Sequence, residues 1–379
     1  MPVSYGKDTP KLGFGLMRLP KRGIVIDVEK VKTMVDLFLD AGFTYFDTAF
    51  VYPGSETATR KALVERHPRD SFTLATKLNA MIAPTEKAAR KQFAASLEHT
   101  GAGFFDYYLL HALMENNYKK YERLHLWDFV NEQKEAGLIR NLGFSFHAGP
   151  QLLDKLLTEH PEVDFVQLQI NYADWENPKV TSRANYEVAR KHGKLITVME
   201  PMKGGSLADP PAEVKKLFKS IHPDLSCASW AIRFVASLDG ILTVLSGMSN
   251  EEQMRDNLSY MKDFQPLSEE EQEAIRQAQR ILGNSSTSPC TACRYCVEGC
   301  PKQIRIPEIF SAMNKQLGNG QMAEAADSYR KVTSEGHTAA DCIECRQCEA
   351  ACPQHLPITD NLKQAVELFH TPENKTNGE

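Results

Sequence analysis

TYFDTAFVYPGSE, residues 44–56, is the stretch on which the fold turns: a β-rich run from Thr44 to Phe50 gives way to a helical stretch from Glu56 to Glu65, which together make one βα unit. The same alternation recurs outward from it, over residues 12 to 261. Strand-like runs occupy Leu12 to Leu19, Phe72 to Lys77, Tyr107 to Leu110, Asn141 to Phe146, Phe165 to Ile170, Leu195 to Met199 and Ile241 to Leu245. Helical stretches such as Val28 to Ala41, Glu86 to His99 and Tyr118 to Ala136 lie between them. Eight such units closing on themselves predict an α/β fold, a (β/α)8 TIM barrel. The competing architecture is an open doubly wound sheet, whose marker is G-x-G-x-x-G between a strand and a helix. Gly13 and Gly15 begin that pattern, but Arg18 holds its third place.

Past the last unit the pattern changes. Ser268 with Glu271 three residues on forms a capping box that opens a polar helix to Leu282. Gly283 to Pro289 then reads as a linker. The expected organisation is a barrel domain over residues 1–283, a small, mainly helical domain over 284–369, and a flexible tail over 370–379.

With 379 residues, 42% hydrophobic and 25% charged, the chain has the composition of an ordinary globular protein of about two domains. A net charge of -5 argues against a broad nucleic-acid or membrane-binding face, which leaves small-molecule chemistry as the default. No secretory signal is recognisable from Met1 to Pro20, and no run of apolar residues is long enough to span a bilayer, so a cytoplasmic location is expected.

Of nine cysteines, eight fall in two short clusters after residue 289, which in a reducing compartment reads as metal ligation. Cys290, Cys293, Cys296 and Cys300 precede Pro301; Cys342, Cys345, Cys348 and Cys352 precede Pro353. Both runs are C-x2-C-x2-C-x3-C-P, the spacing with which bacterial-type ferredoxins hold 4Fe-4S clusters. In that arrangement three cysteines of one loop share a cluster with the fourth cysteine of the other loop. The expected ligand sets are therefore Cys290, Cys293, Cys296 with Cys352, and Cys342, Cys345, Cys348 with Cys300. Structural zinc is the competing reading, but it favours two separated C-x2-C pairs. The region resembles two-cluster ferredoxins, with a longer interval between the runs. Helices expected over Pro307 to Lys315 and Gln321 to Val332 suggest a helical, ferredoxin-like variant. The ninth cysteine, Cys227, is given no role, since a lone buried thiol is usually packing.

Polar residues at the C-terminal ends of barrel strands are where chemistry is expected. Those ends offer Asp47 in Y-F-D-T-A, Tyr52 five residues on, Lys77 in L-A-T-K-L and His111 in Y-L-L-H-A. Taken singly each has a plain structural reading: a helix cap, half-buried packing, a snorkelling lysine, a core histidine. Taken together with the opening L-G-F-G-L-M-R-L and the run D-T-A-F-V-Y-P-G-S-E, they resemble the aldo-keto reductase family over about residues 10–262. The resemblance implies reduction of a carbonyl to an alcohol, or the reverse, with NADP or NAD. Tyr52 would be the proton donor or acceptor, Lys77 would stabilise its phenolate, Asp47 would hold the ammonium, and His111 would polarise the carbonyl.

The resemblance also places a nicotinamide cofactor at the barrel mouth. Ser145 and Gln167 match carboxamide-contacting positions, and Gly247, Gln253 and Asn257 match the adenine side after the eighth strand. An ordinary helix cap at Ser249 or Asn250 explains the latter segment equally, because capping and phosphate binding use the same free N–H groups. Three positions depart from the family pattern: Phe146 follows Ser145, Met199 stands where an aromatic often stacks on nicotinamide, and Gly247 replaces a basic residue at the 2'-phosphate. Arg255 or Lys203 is left to supply that charge. NADP is favoured slightly over NAD.

The leading expectation is an oxidoreductase acting on a small carbonyl or alcohol, with two 4Fe-4S clusters for electron transfer or redox control and a ferredoxin-like or flavodoxin-like protein as electron carrier. Neither nucleic acid nor membrane is an expected partner. The alternative is a non-catalytic electron-transfer or partner-binding protein on an inactive barrel.

Overall fold

Strands that are wrapped by helices on the outside and packed on one another inside are buried on both faces, and they read as nearly continuous apolar runs. Thr73–Leu78 and Ile241–Ser246 have no exposed residue. A computed structural model describes residues 6–283 and 287–370. All but the first residue of the expected tail over 370–379, and the middle of the linker at 284–286, lie outside the described residues.

Eight parallel strands close into a barrel in the order β1, β8, β7, β6, β5, β4, β3, β2. They are β1 (Leu12–Gly15), β2 (Tyr45–Asp47), β3 (Thr73–Leu78), β4 (Phe105–Leu113), β5 (Ile139–Phe146), β6 (Phe165–Gln169), β7 (Leu195–Met199) and β8 (Ile241–Ser246). Closure comes from β1, which pairs Gly13 with Tyr45 on one side and Leu245 on the other. The barrel interior is filled by Tyr45, Ala75, Tyr107, Leu109, Phe165, Leu242 and Leu245, so it is a packed core and not a pore. Gly143 on β5 is required there: a Cβ would lie 2.7 Å from the carbonyl oxygen of Phe165.

The opposite end of the strands from the expected site is locked electrostatically. Asp106, fully buried at the start of β4, accepts from Arg69 at 2.7 Å, Arg140 at 3.1 Å and the amide of Leu74 at 2.9 Å.

Several local expectations need revision. The first strand stops at Gly15 and a 3-10 turn takes Leu16–Arg18, followed by a small hairpin of Lys21–Arg22 with Val25–Ile26. The stretch Tyr118 to Ala136 is two helices, Tyr118–Arg123 and Leu126–Glu135, broken at His125 with φ 50. Leu124 and Leu126 are both buried, yet residues two apart on one helix point to opposite sides. The break is what lets both face inward. The capping box forms as expected, the Ser268 amide donating to Glu271 Oε2 at 2.8 Å and the Glu271 amide to Ser268 Oγ at 3.2 Å.

Contacts divide the chain into two units, Met1–Met202 with Ile221–Ile275, and Lys203–Ser220 with Arg276–Glu379. The C-terminal part of the second unit is a duplicated motif. Left-handed residues recur at constant offset in the two cysteine runs: Ala292 and Glu344, Arg294 and Arg346, Gln303 and His355. Each run continues through a single helical turn, Tyr295–Glu298 or Gln347–Ala350, into a longer helix, Ile306–Asn319 or Ile358–His370. Between the repeats, the helix Met322–Val332 brings Tyr329 into the core formed by Ile306, Ile309, Phe310, Ile358 and Leu362.

Candidate functional site

Asp47 ends β2 and Lys77 lies near the end of β3, one strand over; both are buried. The Lys77 Nζ donates to Asp47 Oδ1 at 2.5 Å and to the carbonyl of Thr48 at 2.7 Å. The chain after β2 stays attached to β3, the Thr48 amide donating to Ala75 and the Phe50 amide to Lys77. It then turns through Tyr52, whose carbonyl accepts from the Ser55 amide at 3.0 Å, and Gly54 enters the next helix at φ 73. That turn carries the Tyr52 ring over the Lys77 ammonium, 5.4 Å from the centroid. His111 meets the same ring in an edge-on arrangement, the centroids 5.9 Å apart at 83°. The four residues singled out in the sequence are thus in one group.

Electrostatics follow from burial. Desolvation lowers the pKa of Lys77 and raises that of Asp47, and their mutual contact works against both shifts. Burial also holds the His111 pKa well below the ordinary imidazole range, helped by the nearby Lys77 and His147. His111 is consequently a neutral imidazole near pH 7, and its Nδ1 is a buried atom with no hydrogen-bond partner among the described residues. The backbone that presents it is distorted: Ala112 has φ 57 and the β4–β5 register shifts before Leu113. Tyr121 donates to the His111 carbonyl, and Asn117 donates to that of Ala112.

Sequence reasoning missed Glu56. It is buried, accepting from Thr76 Oγ1 at 2.7 Å and meeting His99 Nδ1 at 3.0 Å, and its charge favours the Lys77 ammonium. The only signal was an acid at the end of the opening motif, in the first turn of a helix, where a surface cap is the usual reading.

On the expected cofactor side, Ser145 and Gln167 are neighbours across β5 and β6, both buried. The Gln167 Oε1 has no partner among the described residues, so a ligand amide N–H would fit it. Ser145 Oγ already accepts from the Ala112 amide at 2.7 Å. Gly247 follows β8, and a Cβ there would meet only the Arg18 side chain, at 3.8 Å. Gln253 and Asn257 both have internal partners. The helix Glu251–Met261 is capped reciprocally, Gln253 Oε1 taking the Ser249 amide and Asn250 Oδ1 the Gln253 amide, and Asn257 Oδ1 accepts from Ser246 at 2.6 Å. Arg255 is largely exposed, 3.8 Å from Glu251.

The second group of candidates is in the duplicated motif. Cys290, Cys293, Cys296 and Cys352 line one cavity, and Cys300, Cys342, Cys345 and Cys348 line another. These are the crossed sets expected from the spacing. Sulfurs ringing a cavity suit a cubane, whose four ligands bind four different irons, better than a lone zinc. Burial pushes the thiols of Cys290 and Cys348 up to about 11, so binding iron must displace their protons.

Comparison with known proteins identifies both parts of the chain. The aldo/keto reductase family profile matches residues 11–280, and that of a 4Fe-4S dicluster domain matches residues 289–358. An aldo-keto reductase from Mycolicibacterium smegmatis is 28% identical over 213 residues, 55% of this chain and 70% of that one. Two solved structures share the fold. An aldo-keto reductase from Bacillus halodurans in its holo form has a TM-score of 0.58 at 22% identity, covering 73% of this chain and 96% of its own. One from Klebsiella pneumoniae, in complex with NADP and acetate, has a TM-score of 0.59 at 17% identity, covering 76% and 97%. This chain therefore belongs to the aldo/keto reductase family of oxidoreductases and carries, on the same polypeptide, a 4Fe-4S dicluster domain.

Proposed function

We propose that the barrel interconverts a small carbonyl compound and its alcohol with a nicotinamide cofactor, NADP in preference to NAD, and that the C-terminal motif holds two 4Fe-4S clusters. The observation that carries the first part is the Lys77 ammonium, held by Asp47 and the Thr48 carbonyl against the Tyr52 ring, with a neutral His111 edge-on to the same ring.

The bound nicotinamide supplies the hydride to the carbonyl carbon. Everything else belongs to the chain. As negative charge develops on the substrate oxygen, Tyr52 gives its hydroxyl proton to that oxygen, and the adjacent ammonium stabilises the phenolate left behind. Asp47 keeps Lys77 charged and in place despite its burial. A neutral His111 donates a hydrogen bond to the substrate oxygen without competing for the proton. Gln167, with its unpartnered Oε1, orients the cofactor's amide, with Ser145 beside it. Gly247, Gln253 and Asn257 form the adenine side, where Gln253 and Asn257 would exchange internal hydrogen bonds for ligand ones.

The clusters move single electrons, whereas hydride carries two, so cluster electrons serve exchange with a ferredoxin-like carrier or redox control of the barrel. The test is made on anaerobically purified protein. About eight irons per chain is the expectation for two cubanes, and zinc in their place overturns that part. Turnover of a panel of aldehydes and ketones is then followed through NADPH absorbance. Tyr52→Phe is expected to lose about 10²–10⁴-fold in kcat while still binding NADPH. Unchanged turnover removes Tyr52 from the chemistry.

A further inference from the structure

The two cysteine loops are near-copies in spacing and backbone, yet one is covered and the other is open. Thr291, between the first two cysteines of its run, is 2% exposed, whereas its counterpart Ile343 is 57% exposed. The cover is the segment Lys203–Gly205: an added Cβ on Gly204 would lie 2.5 Å from the Cα of Thr291. Every residue over 343–347 is exposed, while in the matching stretch 291–295 Thr291 is buried and Cys293 and Tyr295 are half-buried. The consequence falls on one ligand. Cys345 is the only exposed cysteine among the described residues, and the three that line the same cavity with it, Cys300, Cys342 and Cys348, are half-buried or buried. Each cysteine of a cubane binds a different iron, so a single iron would be held by a sulfur open to water.

The backbone around that ligand is held differently as well. Glu344 and Arg346, on either side of Cys345, have φ of 55 and 59, a left-handed conformation that residues other than glycine keep only when their surroundings fix it. Ala292 and Arg294 have the same conformation beside Cys293, but there Thr291 is packed against Gly204. In the second loop the ties are surface ion pairs, Glu344 with Lys363 at 2.8 Å and Arg346 with Glu349 at 3.9 Å, and exposed pairs of this kind hold a backbone weakly. Bonding to iron is therefore the main restraint on Cys345, in the loop where water has the readiest access to it.

We propose that Cys345 is a releasable ligand, and that the iron it holds leaves for solution when the cluster of Cys300, Cys342, Cys345 and Cys348 is oxidised. This rests on the reading that the motif holds two 4Fe-4S clusters. With dioxygen as the oxidant, the cluster gives up one electron and dioxygen becomes superoxide. The iron at Cys345 breaks its bonds to that sulfur and to the cluster sulfides and departs as Fe2+, and the Cys345 sulfur takes up a proton from water. A three-iron cluster stays on Cys300, Cys342 and Cys348. One electron and one Fe2+ reverse the change, and the thiol proton is released as the ligand rebinds. The cluster of Cys290, Cys293, Cys296 and Cys352, with no exposed ligand, keeps its iron under the same treatment.

The experiment uses the full-length holoprotein, purified anaerobically and assayed first for iron, with about eight atoms per chain expected. Zinc or no metal at that stage would remove the two-cluster reading and the proposal with it; the later steps test the proposal alone. The protein is exposed briefly to a limiting amount of dioxygen, treated with iodoacetamide, and digested for mass spectrometry. The expected result is loss of about one iron per chain, a three-iron EPR signal from the oxidised protein, and alkylation of Cys345 at least about tenfold ahead of any other cluster cysteine. Fe2+ and dithionite, added before the iodoacetamide, should restore the iron and protect Cys345. Alkylation of Cys293 as fast as Cys345, loss of both clusters together, Cys345 already alkylated in protein that has kept all its iron, or iron and thiols both unchanged by the oxidant would each overturn the proposal.

Discussion

At Lys77 an ammonium is buried in a protein interior, which is tolerable only because Asp47 and the Thr48 carbonyl accept its hydrogen bonds. The neutral state of His111 comes from the same burial, and it has a consequence for stability. Above the ordinary histidine pKa of about 6.5 the imidazole is neutral in both folded and unfolded chains. Below it the unfolded chain takes up a proton that the folded barrel refuses, so stability falls as pH drops from about 6.5 and goes on falling down to the depressed folded value. Between pH 7 and pH 5.5, His111→Gln is expected to lose about 1 kcal/mol less than the parent protein, measured by chemical denaturation at both pH values. Equal losses would mean that His111 titrates normally. Asp47, Tyr52, Lys77 and His111 were all legible in the sequence because each has a fixed place relative to a strand end. Glu56 was not, since nothing local distinguishes a buried acid in a first helical turn from an exposed one; its burial depends on Thr76 and His99 arriving from other elements.

Among the elements, those that met their expectations are the ones whose periodicity is uninterrupted. The eight strands were found within a few residues, because burial on both faces leaves an apolar run that no surface loop imitates. The departures lie where packing overrides a local pattern, as at His125, where two helices replace one, and at Ala112, where a bulge re-aims the end of β4. Gly204 makes the point testable. It has φ 68, and an added Cβ would sit 2.5 Å from the Cα and carbonyl oxygen of Thr291. Gly320 has a similar φ of 66 with nothing within 4 Å. Gly320→Ala is expected to cost about 1–2 kcal/mol, the left-handed backbone penalty alone. Gly204→Ala should cost clearly more, and should reduce the iron retained by the Cys290 loop, of which Thr291 is part. Urea midpoints and iron content of both variants check this, and equal costs would show that the contact relaxes freely.

On the scale of the whole molecule, each of the two cysteine-lined cavities brings together cysteines far apart in the chain. Cys352→Ser is therefore expected to damage the same cluster as Cys293→Ser, and Cys300→Ser the same cluster as Cys345→Ser, each pair leaving a matching residual EPR spectrum. Spectra that instead group Cys300→Ser with Cys293→Ser would return each cluster to its own loop. Among the described residues no helix is long and apolar enough to cross a membrane, as the hydropathy of the sequence implied. What the amino-acid sequence determined by itself was whatever depends on spacing and period: eight βα units, four polar side chains near the C-terminal ends of strands, and two cysteine runs whose geometry is written in their intervals. What only the tertiary structure decided was environment. Two loops of the same spacing came to differ in exposure, Cys293 half-buried and its counterpart Cys345 exposed, while Glu56 went inside and Gln253 was taken up by a helix cap. Solvent exposure and hydrogen-bond partners are set by segments distant in the chain, and no local pattern carries them.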